Sequence, residues 1–264
     1  MNAHLNTIRG RFAAAAETYE EGSTVQQQAI EHLLPLLPPS AKRILEVGCG
    51  TGLLTRRLMV LYPEAYLEAM DLAPRMIHVA QQRTGHTPQV CWRIADAAAF
   101  HTKEPYDLMV SNCALHWLAP IAAAIRHLMS LLTPDGCLVF SIMLEGTLAE
   151  LRDARLRVAP DNPPGLRLPD APGLLEALHA AGARVEHWAE MDFEEIHPSA
   201  PAFLRHLHDR GLTGGGVSRG SRPLNRAEIR GVIEDYAQRC RTNDGGVFAR
   251  YRAAFARARS SCLS

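Results

Sequence analysis

Between residues 43 and 143 short, largely apolar runs alternate with amphipathic stretches at a nearly even rhythm. RILEVG (43–48), AYLEAMD (65–71), VCWRIAD (90–96), YDLMVSN (106–112) and GCLVFSIM (136–143) read as strands. Between them, residues from about Leu53 to Tyr62, 73 to 83 and 121 to 132 place apolar side chains at helical spacing. The second of these helices opens with proline in its first turn, where the missing amide costs nothing. Alternation of this kind predicts an α/β fold with a doubly wound, mostly parallel sheet. Its crossovers should be right-handed, and ligands should bind at the carboxyl ends of the strands.

The flanks are helical. Phe12, Ala16 and Tyr19 share one helical face, and a second run from Val25 to Leu37 is closed by Pro38 and Pro39. After residue 144 the rhythm breaks. LAELRDARL (148–156) reads as helix, DNPPGLRLPDAPG (161–173) as a connector, and residues 174–191 as one more helix and strand. Residues 200–241 are helical around LTGGGVSRGSRP, whose glycines predict the most flexible segment of the chain. For VFARYRAAFARA (247–258) periodicity leaves strand and helix both open. The organisation expected is a single domain over 1–264. Residues 1–40 would form an N-terminal helical lid, 41–143 a ligand-binding core, and 144–264 the remaining sheet elements with an inserted helical cap.

Composition narrows the class. With 264 residues, 47% hydrophobic and 21% charged, the chain can bury a sizeable core. It shows no secretory signal and no run of about 18 apolar residues, so a cytoplasmic protein without membrane contact is expected. The cysteines at 49, 91, 113, 137, 240 and 262 are too far apart for a zinc knuckle or a CxxC pair. Reduced thiols and no metal are therefore expected. Formal charge is zero overall, but residues 201–264 hold 12 Arg and no Lys against 5 acids, a balance of +7. Acids are interspersed and aromatics are not interleaved, so nucleic acid is a poor fit. An acidic protein partner, an anionic substrate or a merely solvated face are the readings left open.

Chemistry concentrates at ILEVGCGTG (44–52), where Gly48, Gly50 and Gly52 follow the first strand. Bare backbone allows a sharp turn and lets a ligand touch the main chain. The dinucleotide fingerprint is broken, because Leu53 stands at its third glycine, and no Lys-Ser/Thr pair completes a phosphate-gripping loop. Glu46, just before the turn, suits a ligand carrying a cation or amine. Asp71 and Asp96 close the second and third strands, where one carboxylate can hold a ribose diol and the other an adenine amino group. Asp71 could instead cap the next helix.

This E-x-G-C-G-T-G run with the two acids resembles the class I methyltransferases that use S-adenosylmethionine, over roughly residues 40–143. The resemblance implies a Rossmann-like seven-stranded sheet, S-adenosylmethionine as cofactor and S-adenosylhomocysteine as product. It implies Glu46, Gly48, Cys49, Gly50 and Gly52 around the methionine portion, and Asp71 on the ribose. Leu72 and Met76 would lie on the adenine and Asp96 with Ala97 at its amino edge. SNCALHWL (111–118), with Asn112 and Leu115, would close the sulfonium side. No Asn-Pro-Pro-aromatic signature follows strand four, which argues against methylation of adenine or of a glutamine side chain.

FAAAAETYEEGSTVQQQA (12–29), DLAPRMIHVA (71–80), SNCALHWL and GCLVFSIMLEGTLAELR (136–152) are similar to the malonyl-acyl-carrier-protein O-methyltransferases of biotin synthesis. That family often has Gln-Trp where this chain has His116-Trp117. The resemblance implies methylation of the free carboxylate of a malonyl thioester, carried by acyl-carrier protein or coenzyme A, by a monomer. Tyr19 and Gln26 would then line the cofactor site from the N-terminal side. For the substrate the candidates are Tyr19, His116, Trp117, Phe203, Arg205 and Arg222, an arginine being favoured because its fork matches a carboxylate. A relative acting on trans-aconitate, or a protein that binds the cofactor without transferring methyl, are the alternatives.

Overall fold

In the computed structural model, which describes residues 3–85, 87–165, 168–212 and 220–260, the chain opens on helices α1 (Ala3–Ala15) and α2 (Thr24–Leu33). α2 stops four residues earlier than the apolar pattern predicts. Pro35 has no amide to continue the ladder, and a 3₁₀ turn spans Leu34–Leu36. The alternation then runs β1 (Arg43–Val47), α3 (Leu53–Leu61), β2 (Tyr66–Asp71), α4 (Pro74–Thr84), β3 (Val90–Ile94), β4 (Tyr106–Asn112), α5 (Ile121–Ser130) and β5 (Leu132–Met143). After it come α6 (Ala149–Val158), α7 (Ala171–Ala180), β6 (Ala183–His197), α8 (Ala200–Asp209), α9 (Arg226–Arg239) and β7 (Val247–Ser260).

The seven strands form one sheet in the order β3-β2-β1-β4-β5-β7-β6. Pairings β1–β2, β2–β3, β1–β4 and β4–β5 are parallel. Chain order reverses between β1 and β4, which marks the crevice where a ligand is expected in such sheets. Ile44, Leu45, Leu108, Met109, Val110 and Phe140 are wholly buried, as continuous apolar strands covered on both faces should be.

Several sequence boundaries move, and one open element is settled. β5 starts at Leu132 rather than Gly136, because Leu132 pairs with Tyr106 before a register shift, so Pro134 and Asp135 lie inside the strand. β3 ends at Ile94, so Asp96 sits two residues past the strand. Residues 247–258 are strand: Val247, Ala249, Tyr251 and Ala253 are buried while Arg250 and Arg252 face out, a period of two. Of the glycine-rich loop predicted to be flexible, residues 213–219 lie outside the described residues, as does Cys262.

Packing divides the chain into two units. The first comprises residues 1–25, 144–168 and 191–253, the second 26–143, 169–190 and 254–264, so the sequences of β6 and β7 are shared between them. In the first, Phe203 of α8 stacks on Tyr236 of α9 at 5.0 Å, and α9 begins with a reciprocal Asn225–Glu228 capping box. Asn162, fully buried, takes the amide of Arg222 and gives its own amide to the carbonyl of Arg222. The second unit holds β1 to β5 with α3, α4, α5 and α7.

Candidate active site

The three glycines after β1 all adopt positive φ, +73° at Gly48, +54° at Gly50 and +86° at Gly52. At Gly48 space is decisive as well, for a Cβ there would come within 2.3 Å of the Ala114 methyl. The segment after β4 therefore lies directly on the turn. Gly48 and Cys49 both donate to the carbonyl of Met70 at 2.9 Å, so the turn is also laced to the tip of β2.

Asp71 completes that lacing. One carboxylate oxygen accepts from the Gly50 amide at 3.0 Å and the other from Ala73 at 2.8 Å. Burial pushes its pKa up, against the pull of the backbone amides. Asp71 is not the cap of α4, whose N-cap is Ala73 with no side-chain cap bond; its carboxylate braces the turn before the helix, while each oxygen keeps a further lone pair for a ligand. Asp96 takes the Ala98 amide at 3.0 Å, in a turn beside buried Ala97. Leu72 is half-buried at the same edge, and Met76 is buried on the first turns of α4.

Glu46 is 2% exposed and accepts from the Thr55 hydroxyl at 2.6 Å. Burial pushes its pKa up to about 8, and the charge of Asp71 adds to the rise. Near neutral pH this acid is mostly protonated; a cation brought alongside would ionise it. Cys49 is held as a thiol by burial, which removes it as a nucleophile.

At the tip of β4, Asn112 accepts from the Ser141 hydroxyl at 2.6 Å and donates to the carbonyl of Gln26 at 3.0 Å. The side-chain oxygen of Gln26 is buried without a hydrogen-bond partner. Cys113 follows with φ +50°, its amide on Ser141 Oγ at 3.0 Å. Leu115 is wholly buried, while His116 and Trp117 pack with ring centres 5.0 Å apart. His116 Nδ1 is buried and unpartnered, and burial lowers the imidazole pKa to about 3. It is neutral at physiological pH and a poor base.

The remaining predicted residues lie in the first unit. Tyr19 meets Phe12 edge to face at 6.2 Å. Two expectations need correction. Phe203 is wholly buried against Tyr236 and serves the core rather than a pocket wall. Arg222 is already held, bidentate on Glu228 at 2.7 and 2.8 Å with Asp161 at 3.1 Å, so its fork is spent on its own helix start. Arg205 is exposed on α8. The +7 tail is also less bare than its sequence: Arg239 pairs with Asp235, Arg250 with Glu150 and Glu194, and Arg257 and Arg259 with Glu186. Thr55, Ala114 and Ser141 support the site without a motif, since each acts through a partner distant in sequence.

A methyltransferase-domain model matches residues 45–138, the stretch that builds this turn and the strands beside it. Over 247 residues the chain is 30% identical to the malonyl-acyl-carrier-protein O-methyltransferase of Geobacter sulfurreducens, covering 90% of this chain and 92% of that protein. The chain belongs to that family. The Hahella chejuensis member is 33% identical over 89% of this chain and 83% of its own length. A local match, 35% identical, spans 59% of this chain and 64% of the Anoxybacillus flavithermus member. Among solved structures, the N-methyltransferase NodS of Bradyrhizobium japonicum in complex with S-adenosyl-L-homocysteine superposes with a TM-score of 0.53 at 18% identity, over 93% of this chain and 98% of that one. The [4+2]-cyclase SpnF superposes at 0.57 and 19% identity, over 89% and 80%. One fold serving a methyltransferase and a cyclase carries no activity by itself. Among the described residues no helix is long and apolar enough to cross a membrane.

Proposed function

We propose that this chain transfers a methyl group from S-adenosylmethionine to the free carboxylate of a malonyl thioester on acyl-carrier protein, forming the methyl ester and S-adenosylhomocysteine. The observation that carries the reading is similarity to enzymes so named over nine-tenths of the chain, joined to a glycine turn laced to a strand-end acid.

The residues present fit the cofactor. The turn Gly48–Gly52 offers bare backbone, and Glu46 and the orphan Gln26 oxygen offer acceptors to an ammonium. Asp71 has lone pairs for the ribose hydroxyls. Leu72 and Met76 would flank the adenine, Asp96 and Ala97 would meet its amino edge, and Cys49, Asn112 and Leu115 would close the methionine side. When bound, the cofactor supplies an electrophilic methyl: a carboxylate oxygen bonds to that carbon as the carbon–sulfur bond breaks, and the electron pair stays on sulfur.

The protein's own work is alignment and exclusion of water. A carboxylate is already ionised near neutral pH and needs no general base, which agrees with a His116 too acidic to act as one. His116 and Trp117 then line the substrate; of the two arginine candidates for its carboxylate, Arg222 is engaged by Glu228 and Asp161, which favours Arg205. The reading takes the protein as a cytoplasmic monomer without nucleic-acid partners.

The test is to incubate the chain and S-adenosylmethionine with malonyl-acyl-carrier protein, malonyl coenzyme A and trans-aconitate separately, following a base-labile methyl ester by mass. Turnover of trans-aconitate alone would move the assignment to that acid. Cofactor binding with no turnover of any would make the chain a non-catalytic binder.

A further inference from the structure

Strand β6 ends against the usual pattern. In DFEEIH (192–197) the buried positions are Phe193, Glu195 and His197, while Ile196 is 59% exposed. An acid and an imidazole turned inward, with isoleucine outward, need partners to offset their desolvation. The helix that follows, α8, brings His206 to the same place, all within the first unit.

The spacing of these groups is informative. His197 Nε2 and His206 Nε2 lie 3.6 and 3.5 Å from Glu195 Oε2. That exceeds the usual hydrogen-bond range of about 2.7–3.2 Å. Both Nε2 atoms and Glu195 Oε1 are buried with no hydrogen-bond partner. Two ligands sharing a tetrahedral ion at about 2.0–2.1 Å sit roughly 3.3–3.5 Å apart, which is close to the separation found. The three ligating atoms fall within 4.8 Å of one another, so a modest rotation of the imidazoles closes the set. The Tyr251 hydroxyl donates to Glu195 Oε2 at 3.1 Å, the kind of outer contact that fixes a ligating carboxylate.

We propose that Glu195, His197 and His206 form a binding site for a divalent transition-metal ion of the zinc type. Two imidazole nitrogens with one carboxylate favour zinc, cobalt or nickel over magnesium or calcium, which prefer oxygen shells. A cavity of about 810 Å³ lined in part by His206, Gly22 and Arg210 gives access for the ion and a coordinated water. The ion would tie the end of β6 to α8, a structural role separate from methyl transfer. Arg210, 4% exposed and acting on Glu195 through its charge, opposes a cation. Sequence spacing hid the set because His206 lies nine residues past His197, outside familiar zinc patterns.

The full chain, stripped with chelator, is titrated with Zn²⁺ by calorimetry and with Co²⁺ by visible absorption. One ion per chain is expected, with tetrahedral cobalt bands and a rise in melting temperature. His206→Ala and Glu195→Gln should each weaken binding at least about tenfold. His208→Ala, on the same helix, should leave it unchanged, and Arg210→Gln should tighten it. Circular dichroism confirms that each variant folds. Absence of binding, or one-to-one binding that survives both His206→Ala and Glu195→Gln in folded protein, would overturn the site.

Discussion

Replacing Glu46 by glutamine should make stability less sensitive to alkali. In the folded chain burial raises the carboxyl pKa from 4.5 to about 8. Between those values the folded state holds a proton that the unfolded state has released. Stability therefore falls as pH rises, by about 1.4 kcal/mol per unit, and levels off above the folded pKa. The full span amounts to roughly 5 kcal/mol as an upper bound, since relaxation and water entry reduce such penalties. Glutamine cannot ionise, yet its oxygen can still accept the Thr55 hydroxyl. Urea denaturation of both proteins at pH 5, 7 and 9 isolates the effect, because every other titrating group cancels in the difference. The variant should be equal or slightly weaker at pH 5 and stronger by several kcal/mol at pH 9. A difference that stays flat across that range would refute the reasoning. Saturating S-adenosylmethionine should shrink the gap, as a cation beside Glu46 lets it ionise at lower cost.

The opposite edge of the pH range belongs to His116, whose folded pKa of about 3 lies below its unfolded value. Stability should drop as pH falls below about 6.5, and His116→Gln should lessen that drop in acid denaturation monitored by circular dichroism. Gly48→Ala forces a Cβ within 2.3 Å of Ala114 at φ +73°, and should cost several kcal/mol in denaturant titration together with cofactor affinity. Arg222→Ala should lower melting temperature without a selective rise in the KM for the malonyl substrate, because its partners are Glu228 and Asp161.

The core of the fold is readable in the sequence because its strands are apolar runs with helices between, and local pattern suffices for that. β4 falls on residues 106–112 as read, and the glycine turn bonds to the end of β2 through Gly48 on Met70 and Gly50 on Asp71. What stays hidden depends on distant partners. No local signal tells that Pro134 and Asp135 lie within β5, or that Phe203 finds Tyr236. Arg222 looks like a free cation until Glu228 and Asp161 are seen to hold it, and an excess of arginines in the tail conceals acids supplied by residues 150–194. The inverted end of β6 shows the same limit, for Glu195 and His197 share a buried face only once the strand is known.

Calorimetric titration of S-adenosylmethionine into the native chain and into Asp71→Ala tests the central claim most directly. Loss of charged hydrogen bonds to the ribose predicts an affinity weaker by about 1–3 kcal/mol, roughly 5- to 150-fold, in a variant that remains folded. Equal affinity in the two proteins, or no binding to the native chain, would contradict a cofactor cradle built from the glycine turn and the tip of β2.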